Sequence, residues 1–307
     1  MNKRILLLYF NSEKKAELMC CESIFKALFR KFRTSVSFDY LGLDPSAACR
    51  KQMSALLLEK ISQNDACLLC IDRELSQKEN DFLYESTGLY STMYQSMGTS
   101  VFFPFERKEC RAEGDFINET ISCKTDEIKK CINLCTDYAL EKEKTVFVCT
   151  NDGGADEILF EEFQRISSKH RYLKVSHMSR SEIVWHSAKY ISKPCVMFAS
   201  KSIADVVLMH AIAPHSVPSG YTIFYAQRGK IYTNLYTPFS FESCLGMRMT
   251  VLAFAALLEN ELKMENAAFW LRQSIACAFF EFDCKTKEML AEKTIAAINK
   301  PMRKRNI

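Results

Sequence analysis

Ile5-Leu6-Leu7-Leu8-Tyr9-Phe10 opens the chain as an unbroken apolar run, and the polar Asn11-Ser12-Glu13-Lys14-Lys15 ends it. A short continuous run of this kind suits a strand buried on both faces. From Lys15 to Phe32, Leu18, Cys21, Ile24, Phe25, Leu28 and Phe32 recur at helical spacing, so a helix is predicted there. Val36, Phe38 and Tyr40 then alternate along a second strand over 35–40. A helix over 54–62 leads through Asn64-Asp65 into another apolar strand over 66–71. Parallel neighbours need a crossover, usually helical, so this β-α-β-α-β order predicts an α/β sheet with largely parallel strands.

The same pattern resumes downstream. Ile128, Cys131, Ile132, Cys135, Tyr138 and Ala139 predict a helix over 125–143, followed by a strand over 145–149. A turn at Asn151-Asp152-Gly153-Gly154 leads to a helix over 156–167. A strand over 194–199 enters a helix over 203–212; strand-like runs at 221–225 and 230–232 precede helices over 248–262 and 266–280. No internal repeat or low-complexity segment interrupts this order. At 307 residues the chain is longer than one core readily supports, which predicts two lobes.

Composition excludes several function classes. Net charge is +4, and the dense basic run, Lys300, Arg303, Lys304 and Arg305, reads as a solvated terminus rather than a nucleic-acid surface. No apolar stretch reaches the roughly 18 residues of a membrane span. The first apolar run lacks a small-residue cleavage site, so no membrane insertion or secretion is expected. Fourteen cysteines include Cys67 and Cys70, on opposite faces of one strand, and Cys131 and Cys135 on a helix, with no cluster spaced for a metal. They read as reduced, buried thiols of an intracellular reducing compartment, cytoplasm or mitochondrial matrix. The nine glycines frame neither G-x-G-x-x-G nor G-x-x-x-x-G-K-[ST], so a glycine-built phosphate loop is not expected.

Several phrases, met in order, resemble the β-decarboxylating dehydrogenases, the family of isocitrate and 3-isopropylmalate dehydrogenases. Arg4-Ile5-Leu6-Leu7-Leu8 with its helix looks like the family's first strand and helix. Asn64-Asp65-Ala66-Cys67-Leu68-Leu69 looks like "SDAVLLG", and Ser202-Ile203-Ala204-Asp205-Val206-Val207 looks like "LFGDILSD". Met249 to Leu258 falls where the family has "NPIATILSAAMML". The resemblance implies a two-lobed isopropylmalate dehydrogenase-like fold with a mixed, largely parallel sheet flanked by helices. It implies a large lobe of residues 1–100 plus 217–307, and a small lobe of 101–216 carrying dimerisation helices.

The family's chemistry uses a divalent metal held by aspartates, arginines on the substrate carboxylates, a Lys and a Tyr for proton transfer, and an NAD loop. Carried onto this chain, those positions are mostly changed. The glycine-rich first loop falls on Tyr9 to Lys15, without glycine; two substrate arginines fall on Met93 and Phe103; the catalytic Lys falls on Cys149, with Asn151 kept. Asp205 matches one metal aspartate, while a second becomes Met209 and the earlier one Ser181 or Arg180. The His, Gly, Asp and Asn of the NAD loop become Tyr236, Thr237, Phe241 and Met249. About twenty residues between Pro104 and Thr125 leave the clasp arm shortened or absent.

These substitutions imply a catalytically inactive relative that serves as a non-catalytic subunit or structural component. Its partner would be an active paralogue, a larger assembly or a second copy, with helices 203–212 and 156–167 as the contacts by family analogy. No cofactor is expected on this reading. The alternative is an NAD(P)- and Mg-dependent 2-hydroxy acid oxidoreductase of altered specificity; a third is a sensor whose cleft is lined by Phe103, Tyr236 and Phe241. Asp205 reads either as a surviving metal ligand or as a carboxylate facing a helix N-terminus, and Asn151 either as a substrate-binding relic or as part of a capping turn. Cys149 reads as a buried thiol or a new nucleophile. His177, His186, His210 and His215 read as structural, and Trp185 and Trp270 as core or interface anchors.

Overall fold

β1 (Lys3–Tyr9) is flanked on both sides by parallel partners, β2 (Val36–Gly42) and β3 (Ala66–Cys70), with Ile5 opposite both Phe38 and Ala66. A strand so placed has no solvent-facing side, which is why Ile5 to Leu8 are all apolar and fully buried. The computed structural model describes residues 2–46, 48–71, 75–96, 98–113, 116–150, 154–183, 195–212, 220–234, 243–281, 284 and 286–300. For 108–113, 116–119, 155, 210–212 and 243 only the backbone is described. Asn151, Trp185, His186, His215, Tyr236, Thr237 and Phe241, and the side chain of His210, lie outside the described residues.

The architecture is α/β: a large, mixed, mostly parallel sheet flanked by helices. Its ten strands run β2-β1-β3-β12-β11-β4-β5-β10-β8-β9, where β4 is Leu89–Ser96, β5 Thr99–Pro104, β8 Val146–Thr150, β9 Val175–Ser179, β10 Val196–Ala199, β11 Gly220–Ala226 and β12 Gly229–Asn234. A separate two-stranded sheet pairs β6 (Arg107–Glu113) with β7 (Phe116–Ser122). The chain divides into two units, one of residues 1–74 with 231–307 and one of 75–230.

In the first unit, α1 (Ser12–Phe32) is started by Asn11, whose Oδ1 accepts the Lys14 N–H at 2.9 Å. α2 (Arg50–Gln63) leads into β3, and β12 adds to β3 in parallel. α7 (Ser243–Asn260) is apolar nearly all round, with Val251 and Ala253 to Leu258 fully buried. A helix of that kind belongs inside, and it is wrapped by α1, α8 (Glu265–Glu281) and α9 (Lys287–Asn299). Phe254 stacks on Phe25 of α1 with centroids 3.5 Å apart. Trp270 is an anchor within this unit: its indole N–H donates to the Ile298 carbonyl at 3.2 Å, and the Lys31 ammonium lies 4.6 Å from its ring. Lys31 also donates to the Ile298 and Lys300 carbonyls, a cation at the C-terminus of α9.

In the second unit, α3 (Gln77–Thr87) carries a capping box of Ser76 and Glu79 and ends on Gly88 at φ +67°. β4 lies antiparallel between β11 and β5, whereas β5, β10, β8 and β9 are mutually parallel. α4 (Thr125–Glu141) and α5 (Ala155–Ser167) pack together, and α6 (Lys201–Ile212) lies on β4, β5 and β10. The two helical sides are told apart by neighbouring side chains. Phe102 meets Tyr138 of α4 at 5.3 Å, while Phe103 meets Tyr94, whose hydroxyl reaches Asp205 of α6. Adjacent residues of a strand point to opposite faces, so α4 and α6 cover opposite faces of the sheet.

Sequence reading located most of these elements within a few residues and missed α3, β4, β5, β6, β7, β9 and α9. The stretch read as a shortened or absent arm holds the β6–β7 ribbon.

Candidate functional site

Parallel strands deliver their following loops to one edge of a sheet, the edge where α/β proteins gather chemistry. In the second unit β5 ends toward Glu106, β10 toward Ser200 and Lys201, and β8 at Thr150, so these residues share that edge. Glu106 accepts the Lys201 backbone N–H at 2.6 Å, placing a carboxylate at the first turn of α6, whose N–H groups have no partner within the helix itself. One helical turn on, Lys201 Nζ lies 2.7 Å from Asp205 Oδ2, and the Tyr94 hydroxyl donates to Asp205 Oδ1 at 3.3 Å. Burial raises the Glu106 carboxyl above the ordinary range. The Lys201 N–H and ammonium oppose that shift, while Asp156, near the start of α5, and Asp205 add to it.

Asp205 is thus the fifth residue of α6 and shares its charge with Lys201. Magnesium takes several oxygen ligands in a regular arrangement. A carboxylate held by an ammonium, with Met209 at the aligned second position, does not fit that ion. Among the described residues, no three or more His, Cys, Asp or Glu side chains gather as a metal site.

Cys149 lies on β8, 1% exposed, its Sγ 3.7 Å from the Phe147 carbonyl. Burial pushes its thiol up, with Cys195 adding to the shift. His177 on β9 bonds instead to Thr150, at 2.8 Å, and lies against Phe160 with ring centroids 4.4 Å apart. Thr150 and Cys149 point to opposite faces of β8, so this histidine is not a base for that thiol. Cys67, Cys70, Cys131 and Cys135 are buried and free, and burial raises every one of their thiols.

Met93 and Phe103, the aligned positions of two substrate arginines, are both buried in the sheet. Phe103 stands opposite Thr92 and Met93 opposite Phe102, so the two point to opposite faces. Sequence alignment treats them as one lost grip; the register separates them.

A second polar cluster, in the first unit, was not read from the sequence. Glu17, 1% exposed on α1, takes Lys14 Nζ at 2.9 Å and Lys287 Nζ at 2.6 Å. The Cys70 thiol and the Thr250 hydroxyl each donate to its Oε1 at 3.4 Å. These groups meet where β1 and β3 end and α1 begins, the segment aligned with the family's first loop. At the same edge Asn234, the last residue of β12, closes on Ile71, accepting its N–H at 3.2 Å and donating to its carbonyl. The sequence did carry one signal for Glu17: an acid on the same helical stripe as Cys21, Ile24 and Leu28.

No protein-family model matches this chain, and no curated protein matches it.

Proposed function

We propose that the chain is a catalytically inactive relative of the β-decarboxylating dehydrogenases, working as a non-catalytic subunit or structural component alongside a protein partner. The observation that carries this reading is the closure of Asp205. Its carboxylate is neutralised by Lys201 at 2.7 Å, on an edge where Glu106 is committed to the backbone of that same lysine. Decarboxylation of a 2-hydroxy acid builds enolate charge, which needs cations directed at the substrate. Here the cation is directed at the chain's own carboxylate. The buried, protonated Cys149 supports the same reading, because a neutral thiol does not replace an ammonium as proton donor.

Calorimetric titration with NAD, NADP and Mg2+ tests the proposal. Flat isotherms are expected; micromolar binding would overturn it and favour an oxidoreductase of altered specificity. Affinity capture followed by mass spectrometry then identifies the partner.

A further inference from the structure

Arg30 and Lys31 lie in the last turn of α1, and Arg33 caps that helix. Lys31 donates to the Ile298 and Lys300 carbonyls, so the basic end of α1 meets the segment where α9 gives way to Lys300. Phe32 and Thr34 line one cavity with Lys263, in the turn between α7 and α8. Cations from three separate parts of the sequence thus share one surface of the first unit. Arg303, Lys304 and Arg305 follow Lys300 in the sequence, within a stretch that extends no further than about 18 Å. Arg30, Arg33, Lys263 and Lys300 are exposed, and among the described residues no carboxylate pairs with any of them. Glu265 lines the same cavity, and the cations outnumber it. Arg33 and Lys263 both occupy the left-handed region, at φ +52° and +56°, where glycine is cheaper. Each strained turn carries a basic side chain instead.

Two aromatic rings stand beside these cations. Phe269, 47% exposed, and Phe280, 61% exposed, lie three turns apart on one stripe of α8, a separation of about 16 Å. The stripe begins next to Trp270, whose ring has the Lys31 ammonium 4.6 Å from its centre. Cations rimming exposed aromatic side chains suit a bilayer surface, where the cations meet headgroup phosphates and the rings settle at the acyl boundary. Nucleic-acid phosphates would meet the cations equally well. Stacked bases follow one another at about 3.4 Å, however, and rings this far apart do not match that spacing. Among the described residues no helix is long and apolar enough to cross a membrane. We propose that this face of the first unit is a peripheral docking surface for anionic phospholipid bilayers, on which the protein lies without crossing. The proposal stands on the placement of charges and rings, and does not depend on the chain being non-catalytic.

Co-sedimentation of the full chain with vesicles provides the test. The wild type is expected to pellet with an equimolar mixture of phosphatidylserine and phosphatidylcholine, and to stay in solution with phosphatidylcholine alone. Raising salt is expected to release it. A triple variant, Arg30→Gln with Arg33→Asn and Lys263→Asn, is expected to lose about fivefold in partitioning for each cation removed. Asparagine tolerates the left-handed conformation, so the two turns are kept, and circular dichroism checks the fold. Phe269→Ser with Phe280→Ser leaves the charge unchanged and is expected to weaken partitioning by about tenfold or more. A wild type that ignores anionic vesicles would overturn the proposal, as would partitioning indifferent to the triple variant in a folded protein. Partitioning unaffected by loss of both rings would also overturn it. So would tighter binding to single-stranded or duplex oligonucleotides than to vesicles at equal phosphate, which would assign the surface to nucleic acid.

Discussion

Lys287, the first residue of α9, places its ammonium 2.6 Å from the carboxylate of Glu17, 270 positions earlier in the sequence. With Lys14 on the same carboxylate, one buried acid ties α1 to α9.

Removing Glu17 leaves two ammonium groups facing each other in a buried setting. Breaking a buried pair at one partner costs about 3–5 kcal/mol, and Glu17→Ala is expected to fall in that range. Lys287 is 22% exposed and leaves Lys14 in place, so Lys287→Met is expected to cost about 1 kcal/mol. Urea unfolding followed by circular dichroism separates the two outcomes.

Asp205 and Lys201 are partly exposed and one helical turn apart, an arrangement worth less than about 1 kcal/mol. Asp205→Asn should therefore shift the unfolding midpoint only slightly. It should also leave a Mg2+ titration unchanged. A magnesium isotherm present in the wild type and lost in this variant would restore Asp205 as a metal ligand.

The Glu106 carboxyl is raised in the fold, so the native state holds its proton more tightly than the unfolded chain does. Its contribution to stability is favourable at acid pH and falls away as pH rises through the window just above the ordinary carboxylate range. Glu106→Gln keeps an acceptor for the Lys201 N–H and removes the titration. Relative to the wild type, this variant is expected to gain stability as pH rises through that window and to show no further gain above it. Thermal unfolding of both proteins at stepped pH reads the difference.

Thiols react as thiolates, so exposure and pKa together rank the cysteines. Cys49 is exposed and is expected to alkylate first at pH 8. Cys277 should follow, because its hydrogen bond to Glu281 raises its thiol. Cys131, pushed up to about 12 by burial, and Cys149 should stay unlabelled until the protein unfolds. Peptide mass spectrometry after timed alkylation gives the order, and early labelling of Cys149 would revive it as a nucleophile.

Gly88 closes α3 at φ +67°, and a Cβ there would come within 2.8 Å of the Gln227 side chain. The left-handed conformation costs a non-glycine residue about 1–2 kcal/mol. Gly88→Ala is expected to lower stability by about that amount, checked by thermal unfolding.

Periodicity in the sequence determined the elements whose burial follows a simple pattern. The all-apolar β1, the striped α1 and the nearly all-apolar α7 could each be read from a window of their own residues, because burial on two faces, one stripe or all round leaves a local trace. β4 left none: Ser91, Thr92 and Ser96 are polar and yet buried, and their place in the sheet depends on β5 and β11, which lie elsewhere in the chain. Tertiary structure decided most of the sites. Asp205 and Asn151 were picked out as lone residues by resemblance; the Lys201–Asp205 pair is local, one turn within α6, but the contact of Asp205 with Tyr94 depends on where α6 sits on the sheet. The opposite facing of Met93 and Phe103 depends on strand register, and Glu17 finds Lys287 only because α9 folds back onto α1. Hydrophobic patterning is a property of neighbours along the chain, whereas a charge acquires its meaning from whatever the fold sets within about 3 Å of it.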